Sequence, residues 1–178
     1  NMAIKDYEFW LVVGTQFLYG EEIFETINAH AAEMAEEWSK KLPCQVVAKP
    51  CVKTSKEILD IMQAANNDDT CAGVITWMHT FSPSKMWIAG FNALNKPFLH
   101  VNTQYNRDIP WDNIDMDFMN LNQSAHGDRE HGYITARMRM KQKVAAGYWK
   151  DEAFQEKINI WMRAAVGAME SRKLRVLR

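Results

Sequence analysis

Four short apolar runs alternate with helical patterns, and this alternation constrains the chain more than any other feature. The runs are EFWLVVG (8–14), CQVVAK (44–49), CAGVITWM (71–78) and PFLHVN (97–102). The third is almost wholly apolar, as a strand covered on both faces should be. Between the first two, Ile23, Ile27, Ala31, Met34 and Trp38 recur at spacings of three and four, which predicts a helix over 21–41. Thr54 or Ser55 is placed to cap the helix KEILDIMQAANN, because a side-chain oxygen there accepts from an otherwise unpaired backbone N–H. Ser82 followed by Pro83 predicts an N-cap and first helical position for SKMWIAGFNALN.

Strands and helices in strict alternation imply right-handed βαβ crossovers and a parallel sheet with helices on both faces. The expected fold class is α/β, a three-layer parallel sheet flanked by helices, Rossmann-like or flavodoxin-like, with residues 1–178 as one domain. After His100 the rhythm changes. A polar, proline-containing connection (103–114) leads to two short helical segments, DMDFMNLNQS and HGDREHGYITARMRM. KVAAGYW (143–149) reads as a fifth strand, and a helix over about 152–170 places Phe154, Ile158, Trp161, Met162 and Ala165 on one face. The last residues, KLRVLR, alternate like another strand with nothing to return it to the sheet, which suggests a piece of something longer.

Charge excludes several classes of partner. Residues 1–128 carry 9 Lys and Arg against 17 Asp and Glu, and residues 129–178 carry 12 against 5. The basic residues follow helical spacing and never run five together, so they suit a solvated face or a contact between subunits better than nucleic acid. No apolar run approaches the roughly 18–20 residues of a membrane span. The three cysteines, Cys44, Cys51 and Cys71, are odd in number and lack CxxC spacing. That argues for a reducing compartment and against a disulfide framework or zinc knuckle. With no secretory leader pattern at the start, the expected location is cytoplasmic.

In open parallel sheets, ligands sit beyond the carboxyl ends of the strands. Three stretches belong there. GTQFLYG (14–20) has neither GxGxxG nor GxxxxGK[ST], so a phosphate-binding reading fails. Gln16 offers amide donors and an acceptor, which suit neutral hydroxyls. Leu18 and Tyr19 can pack against the apolar face of a sugar, or can simply fill the gap between helix and sheet. HTFSPSKMW (79–87) directs His79 and Phe81 toward the same rim, with Phe81 also able to pack against the helix that follows. NLNQSAHGDREHG (120–132) concentrates Gln123, His126, Asp128, Arg129, Glu130 and His131. His126 and His131 are five apart, which one helix does not place on one metal. The cluster fits hydrogen bonding to a ligand or a neighbouring subunit, and His100 reads as a satisfied core histidine. No GxSxG is present, and no cysteine has an obviously electropositive setting, so nucleophilic catalysis finds little support.

The stretches FWLVVGTQFLYGEE, CAGVITWMHTFSPSKMW, KPFLHVNTQYNRDIPWDNIDMDFMNLNQSAHGDRE and the final RVLR together resemble the N-terminal domain of L-arabinose isomerases, from about Tyr7 to the end. Phe17 departs from the histidine that many members carry there, but the frame of Gln16, Leu18, Tyr19 and Gly20 is intact. The resemblance implies an aldose–ketose isomerase acting on L-arabinose to give L-ribulose, and often on D-galactose to give D-tagatose. It implies a divalent metal, typically manganese, held by glutamates and histidines outside this chain, so no metal ligand, catalytic residue or cofactor is expected here. It also implies a substrate-covering and assembly domain of a homo-oligomer, inactive alone. The implied sugar contacts are Gln16, Leu18, Gln123 and His126, with Phe81 as a further wall. The competing expectations are a stand-alone sugar-binding or assembly module without catalysis and, on fold analogy alone, a flavin or nucleotide binder.

Overall fold

The computed structural model describes residues 2–16, 18–122, 124–139 and 143–176, without the side chains of Asn120 and His126. The first strand and helix are β1 (Glu8–Gly14) and α1 (Glu21–Lys41), followed by β2 (Gln45–Ala48) and α2 (Ser55–Asn67). Then come β3 (Cys71–Met78), α3 (Ile88–Ala93), β4 (Phe98–Asn102), α4 (Met116–Leu121) and α5 (Ser124–Arg137). The described chain closes with β5 (Lys143–Ala146) and α6 (Glu152–Arg172). The five strands pair in parallel, in the order β2-β1-β3-β4-β5. This is the doubly wound order in which the chain turns back between β1 and β3. It bears out the α/β fold expected from the alternating pattern.

Side chains alternate across each strand, so the sheet has two separate cores. Phe9, Leu11 and Val13 of β1, with Ile75 and Trp77 of β3, meet α1 and α6. Trp10 and Val12 of β1, with Val74 and Met78 of β3, meet α2 and α3. All eight residues of β3 are buried, which is why its sequence shows no polar alternation. On the α1 side, indoles also tie the carboxyl-end loops to the core. Trp38 Nε1 donates to Trp149 O (2.9 Å), Trp77 Nε1 to Thr103 O (3.0 Å) and Trp149 Nε1 to Tyr105 O (3.0 Å).

Helix boundaries follow their end chemistry. Thr54 caps α2, its Oγ1 accepting from Glu57 N at 3.1 Å, while the Glu57 carboxylate accepts from Lys53 N. Glu21 and Glu22 open α1 and Lys40 and Lys41 close it, matching the helix dipole at both ends.

Two sequence expectations change. Ser82 does not cap a helix: its Oγ accepts from the buried Trp87 Nε1 at 3.1 Å, a bond the indole could not replace with water. A 3-10 turn (Ser84–Trp87) precedes α3, and its Ser84 N–H is capped from outside by Glu130 Oε1 at 2.9 Å. The alternating tail also forms no strand among the described residues. After α6, Lys173 donates to Tyr7 Oη (2.9 Å) at the amino end of β1, and Leu174–Val176 have no strand beside them to pair with.

Candidate functional site at the carboxyl ends of the strands

The chain crosses itself where β1 ends. Gly14 bridges Val52, and Thr15 N donates to Val52 O at 3.0 Å, so the segment after β2 lies alongside the first loop. Gly14 must lack a side chain: a Cβ there would stand 2.6 Å from Trp87 Cζ2 and 2.8 Å from both Met78 Sδ and Ser82 Oγ. Side chains from β3 and the segment after it therefore pack closely against the carboxyl end of β1.

Beyond Gly14 the loop turns on a Tyr19 N to Gln16 O bond (3.3 Å). Tyr19 packs down on the α1-side core, and Gln16 is half-buried. Leu18 points away from the protein, 87% exposed. On the neighbouring strand, Phe81 lies half-buried in the loop after β3. The amino end of α5 presses on that same strand end: a Cβ on Gly127 would stand 2.9 Å from Met78 Cβ and 3.3 Å from Thr80 O. The backbone thus brings the first loop, the β3 loop and the helix that carries residue 126 to one end of the sheet. Gln123 lies outside the described residues, as does the side chain of His126.

Most of the acidic and histidine side chains of α5 are engaged by the fold. Asp128 Oδ1 lies 2.7 Å from His100 Nε2, and His100 Nδ1 lies 2.9 Å from Thr76 Oγ1. Burial pulls His100 down to about 3 and pushes Asp128 up to about 8. Near neutral pH this is a hydrogen bond between neutral partners, the carboxyl O–H donating to Nε2 and Nδ1–H to the threonine. His100 is the satisfied core histidine its strand position suggested. His131 stacks on it with ring centroids 4.1 Å apart, edge-on to Trp87 and Phe91, and neither of its nitrogens has a partner.

His79 departs from its expected place at the rim. It is 1% exposed and turns under α1, where its Nε2 meets His30 Nδ1 at 2.6 Å. It stacks on Trp77, and His30 stacks on Tyr105 with centroids 3.5 Å apart. Tyr105 is in turn hydrogen-bonded to Glu33. Burial pulls His79 down to about 4 and lowers His30, so the pair shares one hydrogen bond between uncharged rings. Sequence reasoning missed this column. The useful signal was strand parity, since His79 continues the side of β3 occupied by Ile75 and Trp77.

Two open features complete the rim. An acidic cleft of about 600 Å³ separates the start of α1 from α4, with Glu21, Glu22 and Asp117 beside Ile23, Phe118 and Leu121. Ile109, Trp111, Met116 and Met119, before and on α4, are exposed, Trp111 as much as 78%. Cys44, Cys51 and Cys71 are free and buried, and burial raises all three thiols. No helix among the described residues is long and apolar enough to cross a membrane.

These features define an open parallel α/β fold whose carboxyl-end rim is polar and aliphatic. A sequence model of the L-arabinose isomerase N-terminal domain family matches residues 3–173. The chain belongs to that family. It is 54% identical over 172 residues to an L-arabinose isomerase of Shouchella clausii, covering 97% of this chain and 35% of the relative. An L-arabinose isomerase of Phocaeicola vulgatus is 54% identical over 178 residues, covering 99% and 35%. One from Geobacillus kaustophilus is 53% identical over 179 residues, covering 99% and 36%. The chain therefore spans about a third of the length of the curated relatives it matches.

Proposed function

We propose that this chain is the substrate-covering and assembly domain of an L-arabinose isomerase, which interconverts L-arabinose and L-ribulose and takes D-galactose to D-tagatose. One observation carries the reading: Gln16 and the bare Leu18 stand together on the carboxyl-end rim of a chain that matches a third of an isomerase. A ring sugar offers hydroxyls to an amide and a C–H face to an aliphatic side chain. Phe81, Gln123 and His126 belong to the same proposed contact set.

Ketol isomerisation needs a Lewis acid at the carbonyl and its neighbouring hydroxyl, and a divalent metal such as manganese would supply it. The residues here do not fit that metal. Among the described residues no three His, Cys, Asp or Glu side chains come together to hold an ion. His100 and Asp128 come near each other, but both His100 nitrogens are already bonded. On this reading the ligands belong to the remainder of a longer protein, and the chain alone is inactive. A role for this chain of orienting the sugar's remaining hydroxyls and excluding water from it follows.

The exposed apolar side chains of Ile109, Trp111, Met116 and Met119 support assembly into a homo-oligomer, where a neighbouring subunit would cover them. The three free buried cysteines support a cytoplasmic location. In the full-length enzyme, Gln16→Ala and Leu18→Ala should each raise KM for L-arabinose or lower kcat, by about tenfold, with the melting temperature unchanged. Wild-type kinetics in both variants would remove the rim from the sugar site.

A further inference from the structure

A second cavity, about 330 Å³, opens between the carboxyl ends of β4 and β5 and the start of α5, and Gln16, Leu18 and Phe81 are not among its described walls. Its walls include Asn102, Thr103, Arg107, Ser124, Asp128 and Tyr148. Thr103 is only 4% exposed, and its Oγ1 has no partner. The Asn102 Oδ1 beside it is also buried without a partner. Buried polar groups are rarely left unmatched unless something else completes them.

We propose that this cavity binds a small oxyanion, a phosphate or carboxylate group, held between the amino end of α5, the Thr103 hydroxyl and the Arg107 guanidinium. The first turn of a helix leaves its N–H groups unpaired within the helix and pointing out of its end. The aligned peptide dipoles add positive potential there, so that an anion is favoured. Ser124 and Ala125, the first two residues of α5, line the cavity. Arg107 sits at the mouth, its guanidinium over the Tyr148 ring (5.4 Å) and 3.6 Å from Asp151, which leaves most of its donors available. Asp128 is the one carboxyl lining the cavity, and it does not oppose an anion. It is bonded to His100, and burial keeps it protonated near neutral pH. Asn102 can meet an oxyanion only through its Nδ2–H donors, with the amide turned over.

The test is amide chemical-shift mapping of the 15N-labelled chain with inorganic phosphate, with D-ribose 5-phosphate and L-arabinose as parallel arms. Phosphate should move the Ser124, Ala125 and Gly147 amides saturably. Arg107→Ala, at an exposed position that cannot disturb the core, should weaken binding about tenfold. Thr103→Val should weaken it, and Thr103→Ser should restore it. Tighter binding of the sugar phosphate than of phosphate assigns the site to a phosphate ester, and equal binding assigns it to the free anion. The proposal is overturned if phosphate moves none of these amides, if Arg107→Ala binds phosphate as the parent does, or if L-arabinose moves them and phosphate does not. The sugar reading is tested by kinetics at other residues, so the two can fail separately.

Discussion

The two ends of the sheet are built differently. Through the middle and toward the amino ends, the interior is hydrocarbon and indole, with Phe9, Leu11, Ile27, Met34, Trp38 and Ile75 all fully buried. Toward the carboxyl ends the buried set turns polar: Thr15, His79, Thr80, Ser82, Ser84, His100 and Thr103. The unpartnered buried atoms are found there as well, on Thr15, Ser84, Asn102 and Thr103, and on His131, which stacks against His100. An unmatched buried polar group costs about 1–3 kcal/mol. The apolar body therefore supplies stability that offsets the cost of a polar carboxyl end.

That contrast can be broken at either end. The largest effect should come from Trp38→Ala in the apolar body. It removes a fully buried indole and its bond to Trp149 O, and should cost about 3–5 kcal/mol in urea unfolding. A loss below about 1 kcal/mol would mean that the body is not what holds the fold. The next effect is a pH dependence located at the carboxyl end. His79 and His100 are pulled down to about 4 and about 3, and His131 is lowered too, all by burial. Their neutral forms fold, so their contribution is complete above the unfolded value near 6.5 and is lost as pH falls toward those folded values. Asp128, raised to about 8, works the other way: its contribution is complete below about 4 and fades as pH rises to 8. Three histidines outweigh one carboxyl, so the urea midpoint should drop between pH 6.5 and 4.5. A flat profile over that window would show these rings to be solvated. The smallest effect should be His131→Phe. A ring of similar shape with no unpartnered nitrogen should leave stability equal or higher by about 1 kcal/mol, and should shallow the acid limb.

The same division decided what could be read in advance. β1, α1 and β3 were legible to the residue, because their boundaries follow apolar periodicity and end charges that need no partner to interpret. Ser82 misled because its hydroxyl had two uses, a helix cap and an indole acceptor, and only the position of Trp87 selects between them. The tail misled because alternation favours a strand only when another strand lies beside it. At the site, Gln16 and Leu18 were legible as a loop with the wrong chemistry for phosphate. The His30–His79–Tyr105 column and the Asp128–His100–Thr76 chain were not, since each joins residues at least 24 positions apart in sequence. The cavity at Thr103 was hidden for the same reason, because its walls come from three separate stretches of chain.

Leu18 has a consequence for association rates as well as contacts. A leucine standing 87% in water has no internal packing to break before it meets another surface. Covering it should release about 1.5–3 kcal/mol, roughly a tenfold to hundredfold gain in affinity. Since nothing must first let go, that gain should appear in how slowly a covered partner leaves, with little change in how fast it arrives.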